Sequence, residues 1–280
     1  MSFQSVRNIL LIIGIVFSGA TIAASSTVVV CYPGGPVSED DANKAMSAML
    51  SVVERVGGWP ANTFSSSFSS DVEGCKKLLN ENKPAFAITS LGIFLEQRDS
   101  LHLEPVVQPK MRGETTEQFH LVAIKGRFAS LDDLKGKTIG GTVFEEAGFI
   151  RKIVFAGKIN PEQDFQLKAS KQAIRALRAL DKGELDAVLL NGQQFAALGS
   201  LPLTHELDSV FTSAPLPLMG LVANQESSTS DERARFAKSL ANLCKDPDGM
   251  KLCGLFAIDA FVPASPAAIN PMISLWNKSH

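Results

Sequence analysis

Residues 119–142 read FHLVAIKGRFASLDDLKGKTIGGT, and no other stretch constrains the fold as much. An apolar run of strand length, 119–124, meets a turn at Lys125 and Gly126, and a second short strand, 138–140, opens into the pair Gly140 and Gly141. Between them Ser130 is placed to cap a helix, Asp133 follows in capping-box position, Leu131 and Leu134 share one apolar face, and Gly136 ends the helix. The segment stops the chain and restarts it.

The same alternation runs on either side. Before it, strands are expected at 27–32, 62–68, 85–89 and around Val106 and Val107, with a loop at 33–36 and a helix at 71–80. Ser38 caps a longer helix reaching about Val56, whose Ala42, Ala45, Met46, Met49, Leu50 and Val53 fall on one face. After it come a helix at 144–155, a strand at 164–168, a helix capped by Ser170 and a strand at 186–190. The Ser170 helix turns Ala173, Ile174, Leu177 and Leu180 inward and stops at Gly183. An apolar run at 218–223 and a helix from Ser230 to about Cys244 follow. The rhythm predicts an α/β protein with mostly parallel sheets flanked by helices. Such sheets receive ligands beyond the carboxyl ends of their strands.

Residues 1–24 hold one positive charge, Arg7, an apolar core over 9–17 and then small residues, which is the grammar of a secretory signal cleaved after Ala23 or Ala24. The apolar run is shorter than the roughly 20 residues a membrane span needs. Losing Arg7 takes the formal charge of −2 to −3, too near neutral to predict nucleic acid or an acidic membrane surface as a partner. In an exported chain the even set Cys31, Cys75, Cys244 and Cys253 predicts disulfides, with three connectivities open. Nearest-in-sequence pairing, Cys31 with Cys75 and Cys244 with Cys253, is the expectation. Zinc is disfavoured, because there is no close CxxC pair and the histidines are scattered.

The strand followed by SLDDLKGKTIG, then GELDAVLLN at 183–191 and DPDGMKLCGLFAIDAFVPAS at 246–265, resembles in order and spacing the periplasmic solute-binding proteins of type II. The chain is most similar to their phosphate, phosphite and phosphonate-binding branch. The resemblance implies two lobes joined by two hinge strands: a discontinuous first lobe of residues 25–117 and 221–280, and a second lobe of 118–220. The run at 218–223 would be the second hinge strand, beside 121–125. It also implies a periplasmic monomer that carries a small molecule to a membrane transporter or presents it to a membrane sensor, with no cofactor.

Enzyme templates are absent: there is no G-x-S-x-G, H-E-x-x-H or G-x-G-x-x-G. Gly136-Lys137-Thr138 matches the end of a phosphate loop, but the partner glycine falls at Leu131. Asp132 with Asp133 and Glu145 with Glu146 are neighbours that a helix would point about 100° apart, so they read as first-turn acids serving the dipole. His102, His120, His205 and His280 have no spaced cysteine or acid partner.

Binding is therefore the expected class. Where the resembling branch has a hydroxyl-rich turn after the DLKGK strand, residues 141–149 read GTVFEEAGF, with one threonine, two glutamates and two phenylalanines. Glu39, Asp40 and Asp41 open the first long helix, and Thr89-Ser90 alone keeps hydroxyls at a strand end. Local carboxylates oppose a di-anion at a helix N-terminus. The expected ligand is thus apolar or amphipathic, lipid- or sterol-like, since the resemblance includes relatives turned to sterol transport. Its expected contacts are Tyr32, Ser90, Glu117, Phe119, Thr142, Phe144, Asn191 and Gln193, with Leu91, Phe94, Met111, Phe149 and Phe195 as further wall. The alternative is a phosphonate- or phosphate-type oxyanion for an ABC transporter, which requires Lys110, Arg112 or Lys125 to reach the cleft.

Overall fold

The computed structural model describes residues 26–35 and 38–278, so the expected secretory signal at 1–24 lies outside the described residues. The chain begins with β1 (Ser26–Cys31), α1 (Glu39–Gly57), β2 (Phe64–Ser69), α2 (Val72–Asn82), β3 (Phe86–Ile88), α3 (Leu91–Gln97) and β4 (Leu103–Lys110). The short β5 (Thr116–Glu117) leads into β6 (His120–Ile124), β7 (Thr138–Gly141), α4 (Ala147–Phe149), α5 (Pro161–Asp164) and β8 (Gln166–Ala169). Next come α6 (Ala173–Asp181), β9 (Ala187–Leu190), α7 (Gly192–Ala197) and β10 (Leu207–Thr212). The return passes through β11 (Leu216–Pro217) to β12 (Leu221–Asn224), α8 (Ser230–Leu243), α9 (Pro247–Leu255), β13 (Ala260–Pro263) and α10 (Pro266–Lys278).

Two sheets result, in the order β13-β4-β12-β3-β1-β2 and β10-β6-β9-β7-β8. The protein is a two-lobed α/β molecule. β5 and β11 pair antiparallel where the chain crosses between sheets, Glu117 opposite Leu216 and Thr116 opposite Pro217. In the first sheet β2, β1 and β3 run parallel, while β12 and β13 run against their neighbours. In the second, β8, β7 and β9 are parallel and β6 opposes both β9 and β10. The sheets are therefore mixed, because each returning segment enters its sheet antiparallel.

Local chemistry sets the elements. β1 is the run STVVVC, buried on both faces from Val28 to Cys31, as a central parallel strand must be. Ser38 accepts the Asp41 N–H at the start of α1, and Gly58 closes its end at φ +69° with its own N–H on the Arg55 and Glu54 carbonyls. One face of α1 packs with α8 over the first sheet. α6 covers the second sheet through Ala176, Leu177 and Leu180. A third core runs across both lobes, from Val29, Cys75 and Phe94 to Phe119, Phe149, Phe155 and Leu189.

Several expectations are corrected. The strand at 221–224 is not a hinge strand beside 121–125. It is central in the first sheet between β3 and β4, and β6 lies between β10 and β9. The helix expected at 144–155 is broken into a 3₁₀ turn Val143–Glu146, the one-turn α4 and a π-helical turn Ile150–Val154. At Ser130 only a 3₁₀ turn Asp132–Leu134 forms, because the Asp133 carboxylate gathers the Ala129 and Ser130 N–H groups and the Ser130 hydroxyl. Thr229, not Ser230, caps α8, and Gln172 occupies the cap position of α6 with no side-chain bond. Ile174 is 39% exposed, since the inward stripe of α6 is Ala176, Leu177 and Leu180.

Cys244 and Cys253 form a disulfide, as expected. Cys31 and Cys75 do not: both are free and buried. Each thiol has a hydrogen-bonding role instead. Cys75 Sγ donates to the Ser69 carbonyl at 3.6 Å, and Cys31 lies against Cys75 with its pKa pushed well up by that contact and by burial. Loop length alone ranked this pairing, and loop length says nothing about what the two thiols meet.

Candidate functional site

The carboxyl ends of β1, β3, β7 and β9 converge between the lobes, and the side chains following each strand make the contacts there. After β1, Gly34 reaches Thr142 at the end of β7. A Cβ on Gly34 would lie 2.5 Å from the Thr142 carbonyl oxygen, and Gly34 has φ +72°, so glycine is required twice over. Tyr32 Oη donates to Gln193 Oε1 at 3.4 Å, linking β1 to α7. Tyr32 is 39% exposed, with its hydroxyl set against Gln193. Lost solvation, then the Glu117 charge, raise its pKa, against the opposing hydrogen bond from Asn191.

After β9, Asn191 and Gln194 make a complete capping box for α7: Asn191 Oδ1 accepts the Gln194 N–H at 2.9 Å and Gln194 Oε1 accepts the Asn191 N–H at 3.2 Å. Gln194 Nε2 also donates to Thr142 Oγ1 at 2.9 Å. At the crossing, Glu117 Oε2 accepts the Gly192 N–H at 3.2 Å, and the Arg112 guanidinium donates to the Gly192 carbonyl at 3.2 Å. Desolvation raises the Glu117 pKa, with the Gly192 N–H and Arg112 pulling the other way. Arg112 holds a left-handed backbone at φ +50°, a strained conformation of the kind that collects at functional positions. Gln193 Nε2 faces Met111 Sδ at 3.9 Å.

After β3, Ser90 caps α3, accepting the Ile93 N–H at 3.1 Å while its hydroxyl donates to Glu146 Oε1 at 2.7 Å. Beside it, Thr89 Oγ1 is buried with no hydrogen-bond partner.

Of the expected contacts, Tyr32, Ser90, Glu117, Thr142, Asn191 and Gln193 all lie at this junction. Phe119 and Phe144 are engaged in packing. Phe119 is 6% exposed and packs edge-on to Phe149 at 5.7 Å, while Phe144 packs against the shared core. Phe94 and Leu91 are likewise buried, and Phe195 stacks on His120 at 3.7 Å. Of the cations, Arg112 reaches the junction, whereas Lys125 pairs with Glu206 at 2.8 Å on the surface. Sequence reading missed Gly34, Gly92, Glu146 and Gln194. Only Gln194 carried a local signal, in the N-x-x-Q spacing from Asn191.

Fold and junction together define a two-lobed solute-binding protein. The chain matches over residues 36–269 the family described as ABC transporter, phosphonate, periplasmic substrate-binding protein, and it belongs to that family. No curated protein matches it. Among solved structures it is similar to a binding-protein component of an ABC phosphonate transporter from Pseudomonas aeruginosa, with 17% identity, TM-score 0.68 and coverage of 90% of this chain and 85% of that one. It is also similar to a Xanthomonas citri protein bound to ATP, with 13% identity, TM-score 0.69 and coverage of 91% and 98%. PhnD1 from Prochlorococcus marinus in complex with methylphosphonate has 13% identity, TM-score 0.66 and coverage of 90% and 98%. Family members of this kind are substrate-binding components and not enzymes.

Proposed function

We propose that this chain captures a small organic oxyanion of the phosphonate kind between its lobes and delivers it, as a periplasmic monomer released from its signal, to an ABC transporter. The lobes are residues 25–117 with 221–280, and 118–220, hinged at β5 and β11. The carrying observation is Arg112: a cation whose strained backbone directs its guanidinium across the crossing to the first residue of α7. A planar guanidinium suits an oxyanion by geometry as well as charge. Tyr32, Ser90, Thr142, Asn191 and Gln193 add hydroxyl and amide groups at the strand ends, with Glu117 orienting the Gly192 N–H. The lipid or sterol reading loses support, because the phenylalanines that would have walled such a ligand are engaged in packing or stacking.

Calorimetry with methylphosphonate, phosphate and ATP, beside organic extraction of the purified protein, tests this reading. Arg112→Ala is expected to weaken binding of the preferred anion by roughly tenfold or more, the loss of one charge-assisted hydrogen-bond donor. No heat with any of the anions, together with a co-purifying neutral lipid, would overturn it.

A further inference from the structure

Among the contacts across the lobes, one rests on a half-buried acid without a cationic partner. Glu146, in the broken segment after β7, is brought against the turn between β3 and α3 of the other lobe. Its Oε1 accepts from the Ser90 hydroxyl at 2.7 Å, and the same hydroxyl oxygen accepts the Ile93 N–H at 3.1 Å. Gly92 lets it in: a Cβ there would collide with the Glu146 carboxylate and lie 2.8 Å from Phe149 Cβ. Glu146 forms no ion pair among the described residues, and the charged or titratable groups that face it are all acids. These are Glu96 on α3, Glu117 on β5 and the Cys31 thiol on β1. The nearby cations are engaged elsewhere, Lys76 on Glu96 at 2.7 Å and Arg112 at Gly192.

We propose that Glu146 is a proton-operated latch between the lobes: protonated, it holds the ligand-free protein shut on Ser90 and the Gly92 turn; ionised, it lets the lobes part. The inference rests on the two-lobed binding reading only in requiring that the lobes move. Burial is the leading cause that pushes the Glu146 pKa up to about 7, reinforced by Glu96 and Glu117 and opposed by the Ser90 hydroxyl and the Ile93 N–H. Opening returns the carboxyl to water and towards its ordinary 4.5. The pKa is thus raised in the closed form, so closure takes up a proton. Its contribution is complete below about 4.5 and is lost as pH rises through about 7. Between pH 8 and pH 5 the closed-to-open ratio should rise by roughly tenfold or more.

Small-angle scattering of the ligand-free, full mature chain reads this directly, with circular dichroism confirming that each variant is folded. The wild type is expected to be more compact at pH 5 than at pH 8. Glu146→Gln, which keeps the shape and removes the charge, is expected to be compact at both. Glu146→Asp, whose shorter arm falls short of Ser90, is expected to be extended at both, and it decides the matter if the glutamine variant fails to fold. A pH response that survives in Glu146→Gln overturns the latch and points to another group, such as His120. If pH leaves the dimensions unchanged while methylphosphonate contracts them, the latch falls and the binding reading stands. If neither moves them, hinged capture falls as well.

Discussion

The first strand of each lobe's parallel set is followed by an acidic stretch, and the two stretches have become different things. After β1, Ser38 caps a regular 19-residue helix, Glu39, Asp40 and Asp41 serve its positive end, and its inner face is given over to the core with α8. After β7, Thr142 sits in the equivalent place and caps nothing: its backbone is already right-handed helical at φ −84°, and its hydroxyl accepts from Gln194 Nε2. The chain then passes through 3₁₀, α and π turns in quick succession. Glu145 and Glu146 are not both dipole acids there, since Glu146 is carried across to Ser90. One stretch builds a lobe and the other spans two, and π turns recur where function bends a helix out of its ladder.

The largest expected effect tests that division. Phe149, at 6% exposure against Phe119, and Leu50, at 3% on α1, are both core residues whose truncation to alanine should cost about 2–5 kcal/mol in urea denaturation. Only Phe149→Ala should also weaken ligand binding, because Phe149 lies beside Gly92 at the junction of the lobes. Equal loss of affinity in Leu50→Ala would erase the distinction.

Gly34→Ala comes next. The residue holds φ +72°, which costs an alanine about 1–2 kcal/mol, and the added methyl group would press on the Thr142 carbonyl across the lobes. The strain is local, but the clash exists only when the lobes meet. Melting temperature should therefore fall modestly, while affinity, read by calorimetry, should fall roughly tenfold. A variant that melts earlier yet binds normally would place the meeting point of the two stretches elsewhere.

This contrast also marks what could be read from the chain. α1 was legible because its cap, its apolar face and its terminal glycine are all local signals within one element. The cap of α7 at Asn191 carried a local signal of the same kind, the N-x-x-Q spacing, but on the sequence Asn191 reads only as a ligand contact. The break after β7 was not, since the residue that draws off the Thr142 hydroxyl is 52 positions away. Likewise 221–224 looks like any apolar strand, and its place between β3 and β4 depends on pairings that no local pattern encodes. The greasy-cargo expectation came from the turn at 141–149, where phenylalanines and glutamates stand in place of hydroxyls. Whether a phenylalanine lines a cleft or fills a core is decided by what lies behind it, and here the second lobe does.

The smallest expected effect addresses why the second stretch is broken at all. Gly148 is exposed in the middle of it, and a methyl group there would meet nothing closer than Trp276 Cη2 at 3.8 Å, an ordinary contact. If weak helix propensity causes the break, Gly148→Ala should stabilise the protein by about 0.5–1 kcal/mol and also regularise the turns. Regular turns would pull Glu146 away from Ser90, and inter-lobe closure would suffer. If tertiary contacts impose the break, the same alanine still raises the melting temperature slightly, yet Glu146 stays in place and binding is unchanged. The second outcome is expected. Thr142 is bound to Gln194, Glu146 to Ser90 and Lys152 lies over the Trp276 ring at 4.8 Å, so three separate anchors hold the segment in its irregular path.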